Sequence, residues 1–246
     1  MSKDFEPDLL QERKNRNKYW QEWAGSLWNW LQFPLLALLL VVGCIWLNVQ
    51  QRQNYLALSR QQQQIAADQQ RDQLLTSYIN SISDLLLYDD LLHAKPSDVK
   101  KLVIDARTKE TLRALDPSRK ASLMRFLYQT RLINNDVHVI DMAEADLHGT
   151  TMSGIDLRDT YLVGANMSGA DLRNANLTFA TLVFTNLSGA NLTSANLQAS
   201  DMHNTDVRGA NLAGANLKDV IGITNAQLAK AKSLAGAIMP DGSKHS

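Results

Sequence analysis

Between residues 140 and 219, apolar and polar positions recur every five residues without a slip. Written in fives, the segment opens IDMAE, ADLHG, TTMSG, IDLRD, TYLVG and closes TDVRG, ANLAG, ANLKD. The middle residue is always Leu, Met or Val, and the residue two before it is small or β-branched. Just ahead of the middle stands Asn or Asp, except at Thr151, Tyr161 and Thr181. A period of five fits neither a helix, at 3.6, nor an extended strand, at 2, so the chain must turn once per unit. A solenoid satisfies this pattern: each unit supplies a short strand and a turn, and stacked coils share backbone hydrogen bonds about 4.8 Å apart. One coil alone could not bury its middle residues, so the units must stack to be stable.

Upstream the pattern changes three times. Residues 1–27 are polar and charged, and then 28–47 run almost wholly apolar, long enough for one helix to cross a ~30 Å hydrocarbon layer. Trp28 and Trp30 stand at its near end and Trp46 at its far end, as in an interfacial aromatic belt. Pro34 falls near the expected helix start, where a missing N–H costs least. The run predicts a single-pass membrane anchor. The string Val41-Val42-Gly43-Cys44 loosely resembles a lipoprotein processing site, but the apolar run continues past Cys44 and the segment ahead of it is too long for a usual leader. Lys and Arg cluster between Arg13 and Lys18, against Arg52 and Arg60 after the span, which places the N-terminus in the cytoplasm and the bulk outside it.

Residues 48–92 read as a Gln-rich helical stalk that gains one apolar stripe, Leu75, Ile79, Ile82 and Leu86. Packing of that stripe on the chain's own domain is favoured over a weak homo-oligomer through the stalk, because Leu58 and Ile65 lack a second apolar seam. Residues 93–139 form a small basic helical domain. Ser97 caps a helix carrying Val99, Leu102, Val103, Ala106 and Leu115, and Asp116-Pro117 restarts a second with Leu123, Met124, Leu127, Tyr128 and Leu132 on its apolar face. The excess of Lys and Arg here reads first as a solvated face, and second as attraction to anionic lipid or an acidic partner. After residue 219 the register fails at Gly222, and Thr224 caps a helix over 225–234 that covers the solenoid's last open edge.

The repeat resembles the pentapeptide-repeat family, with its A(D/N)LXX consensus. That resemblance implies a right-handed quadrilateral β-helix of four units per coil, hence about four coils, and a mainly β fold preceded by the helical parts. The phrases SYINSISDLLL at 77–87 and ARTKETLRALDPSRKASLMRFLYQTRLI at 106–133 extend the likeness to single-pass membrane pentapeptide-repeat proteins, largely cyanobacterial. The resemblance brings no reaction with it.

Composition narrows the chemistry. Net charge is zero, which argues against a general nucleic-acid partner. A single cysteine, Cys44, excludes an internal disulfide framework and a Cys-based metal site. The histidines, His93, His138, His148, His203 and His245, are scattered without ligand spacing. No nucleophile elbow, phosphate loop or dinucleotide fingerprint occurs, so we expect no enzyme, no cofactor and no metal. The recurring Asn and Asp have a structural explanation in bonds to turn backbone.

Folding the units by twenty stacks Met142, Leu162, Leu182 and Met202 beneath one face. On it and its adjoining corner stand Tyr161, Val163, Phe179, Val183 and Phe184, where the other faces are polar. Such a patch marks a contact, either within the chain or with a partner protein. The expected function is a membrane-anchored protein-interaction or scaffold module. The alternatives are a DNA mimic acting on topoisomerases, which requires a more acidic rod in the cytoplasm, and an undetected enzyme.

Overall fold

The computed structural model describes residues 6–88, 98–134 and 139–246, with the backbone alone at 6–12, 28–33, 35 and 88. Two compact units divide the chain, Met1–Ala66 and Ala67–Ser246. Helix α1, Glu6–Tyr88, supplies the first unit and opens the second. It begins so early that Pro34 lies in its interior, not near its start. No helix among the described residues is long and apolar enough to cross a membrane. The side chains at 28–33 and 35, including Trp28 and Trp30 of the expected anchor, lie outside the described residues.

In the second unit, α1 buries Tyr78 and Ile82 and half-buries Leu75, Ile79, Leu85 and Leu86 against the core. The apolar stripe therefore packs on its own unit, while Leu58 and Ile65, in the first unit, are exposed. Helix α2, Val99–Ala114, is capped by Asp98, whose side chain accepts from the Lys100 N–H at 3.0 Å. Ser97, expected in that role, lies outside the described residues. Helix α3, Pro117–Gln129, starts as its sequence predicts: Asp116 accepts from the Ser118 and Arg119 N–H groups, with Pro117 in the first turn, where no backbone donor is lost. It buries Leu123, Met124 and Leu127 completely. Arg119 gathers three carboxylates, Asp68, Asp72 and Asp116, and so ties α1 to the start of α3.

The repeats form a solenoid whose coils contain twenty residues. Parallel bridges join each residue n to n+20, as in Tyr161↔Thr181↔Asp201↔Ile221 and Asn166↔Asn186↔Asp206. Every bridge is a single residue, so among the described residues no extended strand forms, and the longest elements are helical. The expectation of a mainly β fold is corrected accordingly. The reason is the turn: after one bridging residue and one buried residue, the chain bends again. In nearly every unit the N–H of the next unit's first residue donates to the carbonyl of the middle one, for example Ala165 to Leu162 at 3.1 Å. The intervening corner residue has φ near +60° at all sixteen corners from Glu144 to Asp219, the pattern of a type II turn.

The middle residues fill the axis: Leu147, Leu157, Leu162, Met167, Leu172, Leu177, Leu182 and their successors are inaccessible to solvent. Beside them the small residue two positions earlier is equally buried, as at Ala145, Ala165 and Ala170. Where that residue is threonine, its hydroxyl donates to a backbone carbonyl, as Thr150 does to Leu147 and Thr185 to Leu162. The first coil is held by the helices. Lys109 pairs with Asp141, Asp105 accepts from the Asp141 N–H, and the buried Lys120 pairs with Asp146.

The C-terminal end differs from expectation. Helix α4 spans only Asn225–Leu228, with a Thr224–Gln227 capping box, and Gln227 donates to the Thr205 carbonyl. The helix stops because the next backbone groups rejoin the ladder: Lys232 N–H donates to the Ala210 carbonyl, and Leu212 N–H to that of Ser233. The bridges Asn211↔Ser233 and Asn216↔Ile238 show the solenoid continuing with an offset of 22 in place of 20. KSLAG at 232–236 and AIMPD at 237–241 are therefore two further units, and a fifth, partial coil follows the expected four. The last edge is closed by the chain turning back, with Ile238 bridging Lys244 antiparallel and His245 exchanging bonds with Gly236 and Ala237. A tail hairpin, not a helix, blunts that edge against further pairing.

Candidate interaction surface

Outward chemistry on the repeats is mostly consumed in holding the turns. The Asn or Asp before each middle residue accepts from the backbone N–H two residues on, as Asp146 does from His148, Asn166 from Ser168, Asn186 from Ser188 and Asn216 from Lys218. On three units an arginine adds a charged clasp: Arg158 on Asp156, Arg173 on Asp171 and Arg208 on Asp206, at 2.7–2.8 Å. Burial alone would raise Asp146 and Asp156, but hydrogen bonds from Lys120 and His148, and from Arg158, outweigh it and hold both carboxyls below the usual range. For Asp171 and Asp206 the arginine hydrogen bond dominates in the same direction.

These shifts fix a pH dependence. A carboxyl depressed in the folded state gives up its stabilisation when it must be protonated, so the contribution is complete above the unfolded value, about 3.9, and is lost as pH falls through the lower folded values. Asp105, raised chiefly by burial, acts in the opposite sense but is one group against several. Urea denaturation midpoints should therefore fall steeply below about pH 4. Asp146→Asn should both lower the neutral-pH midpoint, by leaving the buried Lys120 without its carboxylate, and flatten the acid limb.

One face departs from this scheme. Tyr161 and Thr181 stand where Asn or Asp would cap the turn, and Val163 and Val183 stack beside them, all four half-buried. At its two corners Phe179 and Phe184 are 57% and 63% exposed, whereas the middle residues of the same repeats are inside. Both sit in the left-handed backbone region, at φ 58° and 57°. That region is unfavourable for a bulky L-residue, and glycine occupies seven of the other corners. Two large apolar side chains are thus held in water on backbone that disfavours them. The structure brings all five predicted patch residues to one face and its corners, and among the described residues nothing covers the two phenyl rings.

Sequence reasoning missed two features. Ile221 continues the face and is exposed. Of the apolar residues expected on α2, Val99, Leu102, Val103 and Ala106 point outward and only Leu115, at the C-cap, is buried, while Ile104, Leu112, Lys101, Thr108 and Thr111 face inward. The inward polar groups are accommodated, with Thr108 donating to the Ile104 carbonyl and bonded to Tyr78 at 2.5 Å. Burial pushes the Tyr78 hydroxyl up to about 12, so it remains a protonated donor or acceptor. Of the expected anchor residues, Pro34 and Trp46 are exposed. His93 and His138 lie outside the described residues, and no metal-holding cluster occurs among those described.

The Pentapeptide repeats family model matches residues 140–178 and 170–209, in eight copies. The pentapeptide repeat is thus supported as the class of this segment. Among solved structures, the chain is similar to HetL, a pentapeptide repeat protein involved in heterocyst differentiation regulation from the cyanobacterium Nostoc sp. strain PCC 7120. Identity is 37%, over 43% of this chain and 43% of that one, with a TM-score of 0.32. Rfr23, from the cyanobacterium Cyanothece 51142, is similar at 37% identity over 32% of this chain and 53% of its own, with TM-score 0.32. A pentapeptide repeat protein of the Arabidopsis thaliana thylakoid lumen shows 30% identity over 35% of this chain and 63% of its own, also at TM-score 0.32. The chain therefore spans only 43% to 63% of the length of these proteins. No curated protein matches.

Proposed function

We propose that this chain is a non-enzymatic, membrane-anchored interaction module, in which a right-handed quadrilateral pentapeptide β-helix presents the Phe179/Phe184 face to a protein partner. The observation that carries the reading is the pair of exposed phenyl rings on left-handed corners. Such positions cost folding free energy and persist where something other than folding uses them. The resemblance to single-pass membrane pentapeptide-repeat proteins belongs to the same proposal.

Anchoring is supported by α1 itself. Leu36, Leu38, Leu39, Leu40, Val41, Val42, Ile45, Trp46 and Leu47 are exposed on every side of the helix. Over 36–47 the helix has no polar face for water, and such a stretch suits hydrocarbon, which also tolerates an internal proline such as Pro34. Alkaline carbonate should leave the chain in the membrane pellet, and release into the supernatant would refute the anchor. Protease added to spheroplasts should digest the part after the span, and full protection would reverse the orientation. Mimicry of duplex DNA finds less support, because Asp156, Asp171 and Asp206 are each neutralised by an arginine of their own unit.

The docking reading predicts a trade between stability and binding. Asn is far better tolerated than Phe in the left-handed region, so Phe179→Asn with Phe184→Asn should raise stability by about 1 kcal/mol per corner. The same variant should lose the partner that a photo-crosslinking residue at position 184 captures in native membranes. Higher stability with capture unchanged at a neighbouring position, 183, would sink the docking role.

A further inference from the structure

Helix α2 leaves one of its apolar stripes in water. Val99, Leu102 and Val103, spaced as one stripe, are 71%, 58% and 57% exposed, with Lys101, Thr108 and Thr111 inward. Beside the stripe a cavity of about 240 Å³ opens between α1 and α2. Ile82, Leu85, Val99 and Val103 form its apolar wall, and Lys100 and Arg107 also line it. Of the cations on α2, Lys100 and Arg107 line the groove itself and Arg113 is exposed, whereas Lys101 is turned inward and Lys109 is held by Asp141, so the groove is bordered by positive charge.

The Phe179/Phe184 face has the complementary character. Its columns, read down the stack at 140–144, 159–164, 179–184, 199–204 and 219–224, contain no Lys or Arg. They do contain the carboxylates Asp141, Glu144, Asp159, Asp201 and Asp219, of which Asp141 is paired with Lys109 and Asp201 is bonded to the His203 ring. One surface thus offers two projecting aromatic rings in an acidic frame, and the other an apolar recess in a basic one. A phenyl ring needs no hydrogen-bond partner and brings a large apolar area, which is what an apolar recess accepts. Within one chain the two surfaces do not meet, since both stay exposed.

We propose that the Phe179/Phe184 face of one copy docks into the α1/α2 groove of a second copy, so that the partner is this chain itself. The inference rests on the docking role assigned to that face, and names its occupant. Pairing either surface with its own equivalent would bring like charges together, so the contact is head-to-tail, between different patches. Such heterologous contacts close into a ring or extend into a chain, according to the rotation they impose.

The test uses the full chain in detergent and two double variants at exposed positions, each checked for native circular dichroism. One removes the rings, Phe179→Asp with Phe184→Asp; the other spoils the groove, Leu102→Glu with Val103→Glu. By sedimentation velocity the wild type should grow beyond a dimer with concentration, and raising salt should weaken its association about tenfold. Each variant alone should remain monomeric. Their equimolar mixture should form a dimer and nothing larger, because one intact groove and one intact ring pair survive. A mixture that stays monomeric would overturn the proposal, as would association that persists in both variants, which would indicate the stalk. A monomeric wild type would also overturn it, yet leave the docking role standing if position 184 still crosslinks to a different protein.

Discussion

Leu182→Ala should cost about 4 kcal/mol, near the upper end of the range for a buried leucine. The residue lies inside the third coil and is inaccessible to solvent, with Leu162 one coil before it and Met202 one coil after. The cost of such a truncation depends on how far the surroundings collapse into the vacated space. Here collapse is opposed on every side, because the coils are held apart by ladder bonds. Leu182 N–H donates to the Asp201 carbonyl at 2.7 Å, and Thr181 N–H to that of Thr160 at 2.8 Å. Closing the cavity would require breaking those bonds. A solenoid also transmits the loss, since each coil is stabilised mainly by its neighbours. Leu234→Ala gives the control: in the partial fifth coil the side chain is only half-buried, and the cost should be about 1 kcal/mol. Urea denaturation followed by circular dichroism would measure both. Equal losses would mean that the repeats do not behave as a stack of coupled coils.

The same comparison shows why the repeat region was so legible. Its register rests on a local event, a turn every five residues, and each position in the unit has one physical duty. Asn and Asp cap the turn, the middle residue fills the axis, and the small residue fits beside it. Where duties are local, sequence suffices. KSLAG at 232–236 has the same composition but was missed, because two inserted residues shift the stacking offset from 20 to 22 and the helical composition of 225–234 suggested a different element. Only the partners of Lys232 and Leu212 decide the matter, and these are set by the coil beneath.

Helix α2 failed for another reason. Periodicity located a stripe correctly at Val99, Leu102 and Val103, but the step from stripe to core assumes that the apolar face is the buried one. Tyr78 supplies a partner for Thr108, so the other face could be buried without leaving a polar group unsatisfied. No pattern within α2 contains that information. The patch on the repeats was recoverable because the solenoid's period places Phe179, Phe184, Tyr161, Val163 and Val183 on one side. Its strain, the positive φ of both Phe179 and Phe184, was not, since the corner geometry becomes visible only in three dimensions.

The C-terminal cap should be the most sensitive point to a single methyl group. Gly222 falls where a middle leucine would stand in the first unit of the fifth coil, and its backbone has φ +77°. A Cβ there would lie 2.3 Å from His203 Cγ and Nδ1 and 2.6 Å from the His203 backbone nitrogen. Gly222→Ala must therefore displace the chain from the coil below. The bond from Met202 N–H to the Ile221 carbonyl, immediately beside it, would be lost first. The ladder from Leu212 to Ser233 and from Leu217 to Ile238 should loosen with it, and amide exchange at Met202, Leu212 and Leu217 should accelerate about a hundredfold, equivalent to roughly 3 kcal/mol of local stability. Opening the fifth coil leaves the fourth with unpaired backbone groups, so the variant should also aggregate. Gly149→Ala separates this effect from the general strain of a left-handed corner: its φ is +62°, but nothing lies within 4 Å of the added carbon, and only about 1 kcal/mol should be lost. His203→Ala in the Gly222→Ala background sharpens the argument further. It removes the ring but leaves the backbone nitrogen in place, so protection should return only in part. Complete recovery would show that the cap is held by side-chain packing alone, and not by close backbone approach at Gly222.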